Sequence, residues 1–168
     1  MTAPEGAPLP PTPEQAARNR KIILALAVAF AAVSTMVAVW GAMVTGQVRE
    51  RAHATDAQLR SLGWTILCYA AANGGVFPTG EQALAQTDPT RGPAAGAGWP
   101  ADRDAAMAGL AYLPPAQCGS VGVTWASGGA HPGFTAPALN ANGMPSGLGT
   151  LDEVNGWLEA FARSRVAP

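Results

Sequence analysis

The sequence predicts an α+β protein: one transmembrane helix that continues as a long amphipathic stem, then loops and short strands closed by a C-terminal helix. Three observations carry this. Ile22 to Val44 is a run of 23 residues without a charge, and a helix of that length rises about 35 Å against a hydrocarbon core of about 30 Å. Gln47 to Ala72 contains no Pro and a single Gly, Gly63, whereas 16 of the 20 glycines follow Asn73. Charged residues are only 12% of the 168, with a net charge of -1, too few for a solvating acidic tail or a nucleic-acid binder. A hydrophobic share of 48% argues against wholesale disorder.

These features divide the chain into a Pro-rich tail, 1–17, expected to be disordered and cytoplasmic; a basic flank and signal anchor, 18–44; and a domain, 45–168. Within the domain a stem helix covers 45–72, loops and short strands 73–149, and a C-terminal helix 150–165. The tail holds five prolines between residues 2 and 14, and Pro lacks the donor that a helix interior needs. Arg18, Arg20 and Lys21 directly precede the apolar run and favour an N-terminus kept in the cytoplasm. A cleaved signal peptide shares this order of basic and apolar residues, but its apolar core is usually about 7–15 residues. The longer run here, with no A-x-A pattern near its end, favours an uncleaved anchor, and Trp40 suits the membrane interface.

In the stem, Leu59, Leu62, Ile66, Leu67 and Ala70 fall on one helical face, and Asp56 and Arg60 stand at i,i+4, where they can pair. The helix, starting near Glu14 or Ala16, is expected to stop at Asn73-Gly74-Gly75, where Gly supplies a left-handed cap. Pro78 forces Phe77 to be extended, and Thr79 with Gln82 could form a capping box for a short helix. Asp102 and Asp104 favour the start of a second short helix over 101–110. From Ala105 to Leu151 there are 47 residues without a charge. A strand is expected at Ser120–Ala126, where Val121, Val123 and Trp125 alternate with smaller residues, and long loops over 127–150. Thr150 is expected to cap the last helix, with Leu151, Val154, Leu158 and Phe161 as its apolar stripe, acids in its first turn and Arg163 and Arg165 in its last. Trp64, Trp99, Trp125 and Trp157 are expected as core anchors.

Cys68 and Cys118 match no zinc or redox spacing. One disulfide between them in an oxidising periplasm is one use, and two buried free thiols are the other. Of the two histidines, His53 is expected to be a solvated surface residue. A nucleophilic pair of Cys118 and His131 is supported only by the presence of both residue types. The sequence therefore assigns no catalytic, cofactor-binding or metal-binding residue. Ala25/Ala29, Ala27/Ala31 and Ala38/Ala42 are small-xxx-small pairs in an Ala-rich span.

The junction Cys68-Tyr69-Ala70-Ala71-Ala72-Asn73-Gly74-Gly75-Val76-Phe77-Pro78-Thr79-Gly80-Glu81-Gln82-Ala83-Leu84, with Ala57 to Leu62 before it, resembles the type II secretion pseudopilins of the type IV pilin-like family. The shared features are a tyrosine, a short polar stretch, Asn-Gly, then aromatic-Pro-Thr followed by Glu-Gln and Leu. The resemblance implies a pilin-like α+β subunit of the bacterial inner membrane: single-pass, non-enzymatic, with a small antiparallel sheet domain in the periplasm. Its partners would be the lipid bilayer and other pseudopilin-like subunits or secretion-system proteins, with no nucleic acid and no cofactor. The family's peptidase motif is lacking, since no Asp or Glu lies between Glu14 and Glu50, and its acidic calcium loop has no counterpart in 105–151. A second class of function is a membrane-anchored periplasmic binding module whose 105–151 region recognises a partner protein or envelope component.

Overall fold

The computed structural model describes residues 12–125 and 136–166. The chain forms two compact units, Met1–Gly46 and Gln47–Pro168. Helix α1 runs Pro13–Ala72. It starts one residue before Glu14, the earlier of the two expected starts, so residues 13–17 are helical and do not belong to a disordered tail. Thr12 Oγ1 accepts from Gln15 N while Gln15 Oε1 accepts from Thr12 N, a reciprocal capping box with Pro13 at the first helical position, where a missing N–H costs nothing. At the other end Gly74 and Gly75 take φ of 68° and 96°, and Gly75 N donates to Ala70 O at 2.8 Å. This is the expected glycine stop.

Leu59, Leu62, Ile66, Leu67 and Ala70 are all buried, as their spacing requires, but so are Ser61, Gly63, Trp64 and Thr65 on the other faces. The stem is thus enclosed on every side between Thr55 and Cys68 instead of presenting one wet face. Its polar residues are satisfied inside: Thr65 Oγ1 donates to Ser61 O at 2.7 Å, and Ser61 Oγ accepts from Leu113 N at 2.9 Å. Enclosure needs small residues where neighbours come closest. At Gly63 a Cβ would fall well inside contact distance of Val154 Cγ1. Gly63→Ala is therefore expected to lower stability by about 1–3 kcal/mol, despite up to about 1 kcal/mol of better helix propensity. In a Val154→Ala background the same change should cost clearly less. Equal urea midpoints for the single variant and the parent would contradict the close crossing.

Beyond the stem, Glu81–Gln86 is a 3₁₀ helix with Gly80 at its N-cap and no side-chain cap bond. The capping box expected from Thr79 and Gln82 does not form. The tighter turn closes from Gly80 O to Ala83 N, which leaves Thr79 one position too early. Helix α2 is shorter than expected, Arg103–Met107, with Asp102 capping it by accepting from Ala105 N at 2.8 Å. A left-handed Ala108 and Gly109 end it. Pro115–Gln117 forms a further 3₁₀ turn.

Strands β1, Gly122–Thr124, and β2, Ala138–Asn140, pair antiparallel with Val123 opposite Leu139. Among the described residues the sheet is this one pair of three-residue strands, and β1 is narrower than the expected 120–126, whose last residue lies outside the described residues. Of the loops expected over 127–150, positions 127–135 also lie outside them. Asn155 seats the sheet on the last helix: its Oδ1 accepts from Leu139 N and its Nδ2 donates to Leu139 O.

Helix α3 spans Thr150–Val166 with the expected charges at each end. It begins with Thr150 itself, after a left-handed Gly149 with φ of 82°. Val154, Leu158 and Phe161 are buried and Leu151 half-buried, as expected. Trp64 and Trp157 are core residues, with Trp99 and Trp125 packed part-buried against them. Arg60 does not pair with Asp56. It turns to Glu153, and Asp56 accepts from Gly147 N at 2.8 and 3.1 Å. Burial explains both choices, because an enclosed charge or carboxylate needs firmer partners than a neighbour one turn away.

Candidate functional site

The most unusual surface is on α1. Every large apolar side chain from Ile22 to Val48 is exposed, including Phe30 at 75% and Trp40 at 70%. A soluble monomer rarely leaves so much contiguous apolar surface in water. The hydroxyls in this stretch are satisfied by the helix's own backbone: Thr35 Oγ1 donates to Ala31 O and Thr45 Oγ1 to Gly41 O, both at 2.8 Å. Internal pairing of this kind is what hydrocarbon demands. The helix is long and apolar enough to cross a membrane.

At the stem's far end the junction residues form a local structure with its own contacts. Asn73 Nδ2 donates to Tyr69 O at 2.8 Å, capping the last turn. Phe77 is buried with its ring edge-on to Phe161, centroids 5.9 Å apart. Beside them an open groove of about 440 Å³ is lined by Cys68, Tyr69, Asn73, Gln86, Asp88 and Arg91, among others. Hydrogen bonds from the Thr90 hydroxyl and amide hold the Asp88 carboxyl below its ordinary value. Asp88 also faces Arg91 at 3.5 Å. The groove is open, with polar and apolar lining in similar shares.

Both cysteines are free and buried. Cys68 Sγ–H points to Pro89 O and Cys118 Sγ–H to Pro114 O, at 3.9 and 3.5 Å. Burial, reinforced by the Asp88 charge, pushes the Cys68 thiol up from 9.0 to about 12. Burial, with Glu81 beyond it, pushes Cys118 up to about 11. Neither is a thiolate at neutral pH, so neither is poised as a nucleophile. Between them Tyr112, itself shifted upward chiefly by burial, shares a 2.9 Å hydrogen bond with Thr65. The native chain is expected to resist iodoacetamide at pH 8 and to take up two equivalents once unfolded. Rapid labelling of the folded protein would contradict the buried placement. The thiols also set an alkaline limit. Above about pH 9 the unfolded chain ionises them while the folded chain does not, so their contribution to stability is lost as pH rises towards 11 and 12.

His53 is exposed on α1, as expected. His131 lies outside the described residues, so the Cys118/His131 pair is left with one buried, protonated thiol. Among the described residues, no group of three or more His, Cys, Asp or Glu could hold a metal ion. Two features without any local sequence signal are the polar ties that fix α3 and the loop before it to the stem, Arg60 with Glu153 and Asp56 with Gly147. The partners lie 93 and 91 positions apart. Comparison of the chain with known protein families, with curated proteins and with solved structures finds no match.

Proposed function

We propose that the chain is a non-enzymatic, single-pass inner-membrane protein that serves as a pseudopilin-like structural or accessory subunit of a type II secretion or related envelope assembly. Its N-terminus is cytoplasmic and its domain periplasmic. The observation that carries this reading is α1 itself. A helix that is exposed throughout and largely apolar from Ile22 to Val48 becomes, within ten residues, the enclosed strut of a small α+β domain. Such an element can lie in lipid as a lone subunit and against other apolar helices in an assembly. The glycine stop and the buried Phe77 after it supply the junction that the resemblance rests on.

The rival, a binding module using 105–151, keeps less of its motivation. Ala106, Met107, Cys118, Val121 and Leu139 from that charge-free stretch are used in the domain's own core. Two measurements test the proposal. A phosphatase fused after α3 should be active outside the cytoplasm, and detergent-solubilised chain should bring down other pseudopilins or the inner-membrane platform. An active fusion with neither partner class recovered would leave the anchor standing and sink the secretion role.

A further inference from the structure

We propose that Arg18, Arg20 and Lys21 form a collar that binds the headgroups of anionic phospholipids and gathers such lipids around the N-terminal end of the apolar run. This rests on the reading of α1 as a bilayer anchor and adds a lipid class to it. All the residues concerned lie on the part of α1 that belongs to the first compact unit, Met1–Gly46, so one continuous helix sets their spacing. Arg18-Asn19-Arg20-Lys21 is helical and exposed. Consecutive residues step about 100° around a helix, so these four complete one turn, with a polar side chain on every side and a cation at three of the four positions.

A helix lying in the plane of the interface would gather its cations on one face and its apolar residues on the other. Here the division runs along the axis instead: Ile22, Ile23 and Leu24 follow the collar directly and are exposed. That order sets the cations at the level where hydrocarbon ends and phosphates begin. Trp40 supports the same level from the other side. It is exposed and stands 19 residues after Lys21, a rise of about 29 Å against a hydrocarbon core of about 30 Å. With the collar at one phosphate level, the indole therefore reaches the opposite interface, which tryptophan favours. Among the described residues no carboxylate pairs with the three cations: Glu14, one turn before Arg18, makes no ion pair with it, and the next acid along the chain is Glu50. Lipid phosphates are the complementary partner at this depth, since long basic side chains keep their stems against the acyl chains and raise their heads to the phosphates. A phosphatidylcholine headgroup neutralises its own phosphate and a phosphatidylglycerol headgroup does not. The collar should therefore prefer the anionic lipid, by about fivefold for each lipid held by one cation.

The test uses full-length chain reconstituted from detergent into nanodiscs of phosphatidylcholine and phosphatidylglycerol. A bimane label is placed at Leu24→Cys, within one turn of the collar, with the parent chain as blank, since Cys68 and Cys118 are buried. A trace lipid with a nitroxide high on its acyl chain is added in either the glycerol or the choline form, in equal amounts. The phosphatidylglycerol probe should quench the label several times more efficiently than the phosphatidylcholine probe. The difference should shrink in high salt, which screens exposed charges, and vanish in the triple variant Arg18→Gln, Arg20→Gln, Lys21→Gln. Equal quenching by the two probes would overturn the collar and leave its cations for an acidic protein segment. A preference that survives in the triple variant would assign it to other cations and overturn the collar as well. Should that variant fail to reconstitute, the salt series on the parent collar decides, since a preference indifferent to salt is not electrostatic. Quenching by neither probe would mean that Leu24 is not in lipid, so the anchor reading itself fails, an outcome distinct from loss of lipid preference alone.

Discussion

Phe161→Ala is expected to destabilise the domain by about 3–5 kcal/mol, the range for removing a fully buried aromatic ring. Phe161 is 1% exposed and is the point at which three segments meet. Phe77 from the junction and Trp99 from the loop before α2 both pack edge-to-face on its ring, at 5.9 and 5.4 Å. The Arg165 guanidinium lies over it at 4.9 Å. Such aromatic pairs add about 0.5–1.5 kcal/mol each beyond area alone, which places the loss in the upper part of the range. Phe161→Leu keeps most of the volume and should cost clearly less. Urea unfolding of the full chain in detergent, followed by tryptophan emission, measures both, because Trp64 and Trp157 sit in the same core. A loss under about 1 kcal/mol for the alanine variant would mean that Phe77 and Trp99 do not meet on α3.

Removing Glu153 is expected to cost about 2–3 kcal/mol, well above the 0–1 kcal/mol of an ordinary surface pair. Arg60 makes a two-pronged contact with it, at 2.6 and 3.2 Å, donates to Ala106 O at 3.0 Å and lies over the Trp157 ring at 5.5 Å. The two partners differ in their access to water: the Arg60 side chain is 11% exposed and Glu153 48%. In Glu153→Ala the guanidinium keeps its charge with no counter-ion and little water. Half in solvent, Glu153 can rehydrate when Arg60 is replaced, so Arg60→Met should be the milder lesion. The pair Arg60→Met with Glu153→Leu should recover most of the loss, since apolar substitutes of similar volume can replace an enclosed ion pair. A double-mutant cycle reads the coupling directly. If Arg60→Met proves the more damaging single change, the packing on Trp157 outweighs the charge and the electrostatic account is wrong.

Local signals in the sequence were enough for the two long helices. The absence of Pro between Glu14 and Asn73 and the glycine pair after it marked α1 and its stop, and the stripe from Leu151 to Phe161 marked α3. Thr12 to Gln15 carried a capping box that was equally local, but the four prolines just before Thr12 obscured it. The enclosure of the stem was not legible, because Ser61, Gly63 and Thr65 look like a wet face until the chain that covers them is in place. Arg60 shows why. Its neighbour in sequence is Asp56, and its partner in space lies on another helix. The strands are too short for alternation to define their ends, and their register depends on Asn155 of α3. For the apolar surface of α1 sequence and structure agree, since composition alone settles what an uncovered helix exposes.

The long reach of the stem's partners bears on how the protein is made. Stem residue Arg60 is complete 93 residues before Glu153 exists, and Val154, Trp157, Leu158 and Phe161, which cover it, follow later still. At ordinary synthesis rates of about 5–20 residues per second, that leaves Leu59, Leu62 and Ile66 bare for about 5–20 s. During that interval the nascent segment is a sticky apolar helix close behind another one, and whatever receives the chain must shield it until α3 arrives.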